Sequence, residues 1–286
     1  MAGRPARGLT PAAEADVRRT AALPVAIGYA RGMAGAGASV ELECDMGEGY
    51  GMWALGDDAA IMPFISMANV ACGFHAGDPV IMRDTVALAK THGVKVGAHP
   101  SYPDLQGFGR RAMAMDRAEL TAAVLYQTGA LKAFLDAAEM PLNHIKPHGA
   151  LYGGAARDEA VAEAIADAVE VYGVPVLGLA GTRHEEVYTR RGLDFRAEFY
   201  ADLEYDDDGG LIITRRHDTL DPGEVAARVR RVLEEGVATS RSGKELPMRA
   251  DLVCVHSDTP GAAELARAVH DVLSDHTRSA WPATKS

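Results

Sequence analysis

The chain has 286 residues, 48% of them hydrophobic and 24% charged, with 40 acidic against 29 basic side chains and a net charge of −11. That is the composition of a folded globular protein and about the length of a single closed α/β domain. The acidic balance argues against nucleic acid or an anionic membrane as the partner, and no apolar run reaches the roughly 18–20 residues of a membrane span.

Residues 1–38 are rich in Ala, Gly and Arg without a helical or strand period, and read as a disordered N-terminal extension or the product of an upstream start, Met33 being a candidate first residue. Arg18-Arg19 ahead of Ala21–Ala30 gives only a faint export pattern, broken by Pro24, Gly28 and Arg31. From residue 39 to about 280 the sequence reads as one domain. Short apolar runs at Val40–Cys44, Ile65–Ala71, Val94–Ala98, Asn143–Lys146, Pro175–Leu179, Phe195–Tyr200 and Leu252–Val255 alternate with helical patterns. Asp78-Pro79, Asp221-Pro222 and Thr259-Pro260 each predict an N-cap followed by proline at the first helical position. Asp116 with Glu119 has capping-box spacing, and Gly93, Gly173 and Gly192 stand where left-handed residues end helices. The stretch Ala201–Arg216 breaks the rhythm with an acidic Gly-containing turn before Leu211-Ile212-Ile213, the mark of a hairpin. Seven strand-then-helix units require a parallel sheet, because parallel neighbours need crossover connections. The pattern favours a closed (β/α) barrel over an open doubly wound sheet, since polar residues follow nearly every strand rather than one switch point.

Those polar residues are the candidates for chemistry. Asp45 and Glu48 follow the first strand, interspersed with glycines whose backbone can approach a ligand closely. Asn69 ends the second, and His75 lies just beyond, between Gly73 and Gly77. His99 follows the third, ahead of a loop carrying Asp104, Arg110 and Arg111, and arginine can grip a carboxylate or phosphate through two parallel bonds. Lys146 and His148 follow the fourth strand, Asp202 the sixth and His256 the last. Each has a plainer reading, as a cap, a core histidine or a surface ion pair. A lysine at a buried strand end is costly unless paired, so an anion, Asp45 or a substrate, is expected beside Lys146. In a parallel barrel all these exits open on one face, and their convergence there is the case for an enzyme. Cys72, three residues before His75, is the one candidate thiol nucleophile. An odd set of three cysteines, Cys44, Cys72 and Cys254, without CxxC spacing reads more simply as reduced, buried thiols of a cytoplasmic protein. A Walker A sequence, HExxH, GxSxG and a Rossmann glycine triplet are all missing, so the chain carries no conventional nucleotide site.

Four blocks carry a resemblance: Cys44–Gly49, Ala68–Pro79, Gly97–Pro100 with Tyr102–Arg111, and His144–Tyr152. Together they resemble the LamB/YcsF family, and the similarity runs from about Ser39 to about Leu273. The resemblance implies a distorted barrel of about seven parallel strands, like the glycoside hydrolase and deacetylase barrels. It implies ATP-dependent opening of the lactam 5-oxoproline to glutamate, carried out with separate B and C subunits that handle much of the phosphate chemistry. Three positions depart from the family pattern: Glu43 where Asn is usual, Leu203 where Arg follows the aspartate, and Ser257 where Gly is usual. The resulting expectation has Asp45, His75, Lys146 and His148 as catalytic groups. Glu48, Asn69, His99, Asp104, Arg110 and His256 would contact a small anionic lactam. Two rival readings stand beside it. One is an ATP-independent amide hydrolase holding a divalent metal on Asp45, His75 and His148; the other is a non-catalytic binding subunit of a larger complex.

Overall fold

The structure, a computed structural model, describes residues 39–214 and 218–280, so the expected extension over 1–38 and the last two residues of the expected hairpin stretch lie outside the described part. In chain order come β1 (Glu41–Met46), α1 (Asp58–Ile61), β2 (Met67–Ala71), α2 (Pro79–His92), β3 (Lys95–His99), α3 (Arg117–Ala137), β4 (Leu142–Ile145), α4 (Gly149–Ala155) and α5 (Glu159–Tyr172). They are followed by β5 (Val176–Gly178), α6 (Arg183–Arg190), β6 (Phe195–Tyr200), the paired β7 (Glu204–Tyr205) and β8 (Leu211–Ile212), and α7 (Pro222–Glu235). A second small pair, β9 (Val237–Thr239) and β10 (Glu245–Pro247), precedes β11 (Leu252–His256) and α8 (Ala262–Ala280).

Seven parallel strands close into a barrel in the order β1-β11-β6-β5-β4-β3-β2, as the alternation of strand and helix predicts. The register places Asp45 of β1 beside Asn69 of β2 on one side and His256 of β11 on the other, so side chains from three neighbouring strands stand at one level. Successive side chains of β1 alternate across the wall. Leu42, Cys44 and Met46 face the helices and join the main apolar core, while Glu43 and Asp45 face the barrel interior, all five buried. Helix α3 shows what holds the outer layer: Leu120, Val124, Leu131 and Leu135 recur at helical spacing and are all buried, each worth about 1.5–3 kcal/mol relative to exposure. Inside, Met67, Leu177 and Leu252 form a small separate apolar cluster. Above it the lumen is filled by charged and polar groups rather than the branched aliphatics usual in such barrels.

Asp78 caps α2 by accepting from the backbone N–H of Val80 and Ile81, with Pro79 at the first position, and Asp221 caps α7 ahead of Pro222. Gly93, Gly173 and Gly192 all adopt positive φ at helix ends. Two expectations are corrected. Asp116 holds the N-cap position of α3 but its side chain caps no backbone N–H, so no capping box forms. Helix α8 begins at Ala262 rather than at Pro260, because the Thr259 hydroxyl is spent on Asp202, donating to its Oδ2 at 3.1 Å. The β7–β8 hairpin forms where the acidic turn predicts it; the β9–β10 pair has no counterpart among the sequence expectations.

Candidate active site at the strand ends

Asp45, at the mouth end of β1, is the hub. Its Oδ1 accepts from Asn69 Nδ2 at 2.8 Å and from the Lys146 ammonium at 2.9 Å. Its Oδ2 lies 3.1 Å from His99 Nε2 and 3.6 Å from His256 Nε2. Burial by itself would raise this carboxyl, but His99 and then Lys146 reverse the effect and hold it well below the ordinary range, so it is an anion.

Lys146 reaches into the lumen from just past β4. Besides Asp45 it meets Cys254 Sγ at 3.0 Å, Glu198 at 3.3 Å and Glu43 at 3.5 Å, with the Tyr200 ring 5.1 Å away. The anion expected beside a buried lysine is therefore present several times over. Burial disfavours the ammonium, but Asp45, Cys254 and the two glutamates outweigh it and raise its affinity for the proton. Burial drives the Glu43 carboxyl the opposite way from Asp45, well above its usual value. Sequence reading sets Glu43 aside as a family departure and misses Glu198 and Cys254. The available signal is their position: each lies two residues before a mouth residue on its strand, which puts both on the same lumen-facing side.

Below this layer His144 Nε2 donates to Asn69 Oδ1 at 2.6 Å, and burial lowers the pKa of this ring to about 3, leaving it neutral. The ring fits because residue 97, opposite, is glycine: a Cβ there would lie 2.2 Å from His144 Nε2.

A second group closes one side of the mouth. His75 Nε2 sits 3.0 Å from Glu48 Oε1, and the His75 ring stacks on His148 with centroids 3.8 Å apart. His148 Nδ1 is 2.9 Å from His99 Nε2 and 3.4 Å from Glu48 Oε1. Burial pushes both His75 and His148 well below the usual histidine range, while burial and the nearby Asp45 charge push Glu48 up. Glu48, His75, His99 and His148, all buried, form a cluster that could hold a divalent metal. Two of the metal candidates inferred from sequence, His75 and His148, belong to it; Asp45 instead faces Lys146 and Asn69 and touches the cluster only through His99.

The remaining residues frame the mouth. Asp202 accepts from the backbone N–H of His256 at 2.8 Å and lies 2.9 Å from its Nδ1; burial would lower the His256 pKa, but Asp202 raises it overall. Arg110 donates to Asp258 Oδ2 at 2.8 Å. Asp104 stands apart from this convergence, since it caps its own turn at Gly107 N (2.9 Å) and pairs with Arg111. Cys72 is buried with its thiol pushed up to about 12 by burial, which leaves it inert as a nucleophile. Asp45, His99, Arg110, Lys146, His148 and His256 line one cavity, whose roof is the apolar trio Leu203, Leu211 and Ile213 from the β7–β8 hairpin. Its free volume is about 30 Å³. Among the described residues no helix is long and apolar enough to cross a membrane.

This geometry can be set beside known proteins. The chain is 46% identical over 241 residues to the lactam utilization protein lamB of Emericella nidulans, covering 83% of this chain and 95% of that one. It is 48% identical over 239 residues to the A component of 5-oxoprolinase from Chloroflexus aggregans, covering 82% and 95%. The crystal structure of a lactam utilization protein from Thermus thermophilus superposes with a TM-score of 0.77 at 46% identity, over 84% of this chain and 97% of that one. The sequence pattern of the LamB/YcsF family matches residues 40–286, and the chain belongs to that family.

Proposed function

We propose that this protein is the A component of a cytoplasmic ATP-dependent 5-oxoprolinase that opens 5-oxoproline to glutamate together with B and C subunits. Relatives named as the A component of 5-oxoprolinase support the substrate class and an assembly of several different chains. The single observation that carries the reading is Asp45: an anion fixed by Lys146 and Asn69, buried at the floor of the mouth cavity, and in line with His99 and His148.

A five-membered lactam resists water because amide resonance makes its carbonyl carbon a poor electrophile. Transfer of the terminal phosphoryl group of ATP to the amide oxygen removes that resonance and releases ADP. Water then adds at the ring carbon, the C–N bond breaks as the nitrogen takes a proton, and a second water hydrolyses the acyl phosphate to glutamate and phosphate. The partner subunits supply the nucleotide chemistry. In this chain Asp45, an anion 3.1 Å from His99, takes a proton from the attacking water, an effect worth typically about 10²–10⁴-fold. Arg110 at the rim binds the substrate carboxylate, and Lys146 secures the charge of Asp45. Leu203, Leu211 and Ile213 at the β7–β8 hairpin give the cavity an apolar wall for the methylene groups of the lactam ring.

The test is reconstitution with the B and C subunits and an assay of glutamate release. Asp45→Asn should reduce ATP-dependent turnover by about 10²-fold or more with the circular dichroism spectrum unchanged. Normal turnover in that variant would remove Asp45 from the reaction, and no glutamate from the wild-type complex would overturn the substrate. The His/Glu cluster favours one second reading, metal-assisted hydrolysis of a small amide; activity of the isolated chain without ATP would select it.

A further inference from the structure

We propose that Glu48, His75, His99 and His148 bind one divalent first-row transition metal, with zinc the best match to the donors. The metal would bind whether or not the cavity takes a lactam, since all four ligands belong to this chain and are buried beside the cavity rather than formed by a substrate.

The reason lies in the outer nitrogens of two rings. His99 Nδ1 is 2.8 Å from the backbone oxygen of Lys146, and His148 Nε2 is 2.8 Å from the backbone oxygen of Phe108. A carbonyl oxygen only accepts, so both outer nitrogens carry their hydrogens, and in a neutral imidazole the opposite nitrogen is then a bare lone pair. Those two lone pairs, His99 Nε2 and His148 Nδ1, point at each other across 2.9 Å, and the anionic Asp45 Oδ2 stands 3.1 Å from the first. Two acceptors at that distance need a cation between or in front of them, either an extra proton or a metal ion. Anchoring of the far nitrogen on a carbonyl is also how proteins orient metal-binding histidines.

The rest of the cluster favours the metal over the proton. Glu48 Oε1 stands 3.0 Å from His75 Nε2 and 3.4 Å from His148 Nδ1, and its described ion pairs are with these two rings. All four ligand atoms lie within 4.8 Å of one another. A tetrahedron with metal–ligand bonds of about 2.0–2.1 Å has edges of roughly 3.3 Å, close to the 2.9, 3.0 and 3.4 Å found here. Three imidazole nitrogens with one carboxylate oxygen suit zinc or cobalt, whereas calcium and magnesium call for oxygen ligands. The other buried group of possible ligands, Glu43, Glu198 and Cys254, already has its cation, since the Lys146 ammonium sits 3.5, 3.3 and 3.0 Å from them.

The full-length protein, produced with zinc and passed over a chelating resin, should retain about one metal per chain by mass spectrometry. Cobalt loading should give the visible bands of a tetrahedral site. His148→Ala and Glu48→Gln should each lower retained metal by more than about tenfold, while Cys254→Ser retains it in full. Should the histidine variant fail to fold, ¹⁵N NMR of the wild-type rings decides: on adding zinc the inner nitrogens of His99 and His148 shift and stay unprotonated. A wild-type protein that takes up neither zinc nor cobalt and shows an imidazolium in this pair at neutral pH overturns the proposal. So does metal that survives His148→Ala but is lost with Cys254→Ser.

Discussion

Replacing Lys146 by Met keeps the length of the side chain in the lumen and removes its charge. The ammonium is 1% exposed and faces Asp45, Cys254, Glu198 and Glu43 within 3.5 Å. Deleting one partner of a buried ion pair leaves the other charge unpaired in a low-dielectric setting, and costs about 3–5 kcal/mol. For a domain of this size that corresponds to a fall in Tm of about 6–20 °C. The loss should depend on pH in a definite direction. Burial already raises the Glu43 pKa above its unfolded value, so its contribution is most favourable below about pH 4.5 and is lost as pH rises through the folded value. Without Lys146 that loss deepens, and the deficit of Lys146→Met should grow as pH rises above the ordinary glutamate range. Adding Glu43→Gln should recover about 1 kcal/mol or more, because contacting charges are coupled. Urea unfolding of the four proteins in the cycle measures this. A deficit under about 1 kcal/mol, a deficit independent of pH, or strict additivity would show that the lumen does not work as one charge cluster around Lys146.

Gly97→Ala would drive a Cβ to 2.2 Å from His144 Nε2 and should destabilise by about 1–3 kcal/mol as an overpacked site; in a His144→Ala background the penalty should largely vanish on chemical denaturation. The three cysteines are buried, so a thiol reagent should titrate none of them in the native protein and all three in denaturant; fast native reaction at Cys72 would contradict its assigned burial. Asp202 raises the His256 pKa, so the stability from this pair is full below about pH 6.5 and declines as pH rises through the folded value. Asp202→Asn should therefore cost most at about pH 6, about 1.5–3 kcal/mol, and move the His256 titration downward by NMR. A pH-independent cost would assign Asp202 to backbone capping alone.

Much of this architecture is local in origin and legible in the chain. Strand and helix periods alternate, the caps at Asp78 and Asp221 and the terminal glycines Gly93, Gly173 and Gly192 fix boundaries, and parallel strands oblige all exits to share a face. Asp45, His75, His99, Lys146, His148 and His256 can be picked out on that ground alone. Asp104 cannot be sorted from them, because the same kind of loop position serves equally well to cap a turn and bind Arg111. What only the tertiary structure decided depends on strand register and on contacts between residues far apart in sequence. Register puts Asp45 level with Asn69 and His256, and barrel closure brings Glu43, Glu198 and Cys254 around Lys146. Asp202 draws Thr259 away from its helix, and backbone carbonyls of Lys146 and Phe108 fix which nitrogens of His99 and His148 meet. The sequence alone holds no signal for these pairings, since hydrogen-bond partners 40 to 150 positions away are chosen by the closing of the barrel rather than by their neighbours in the chain.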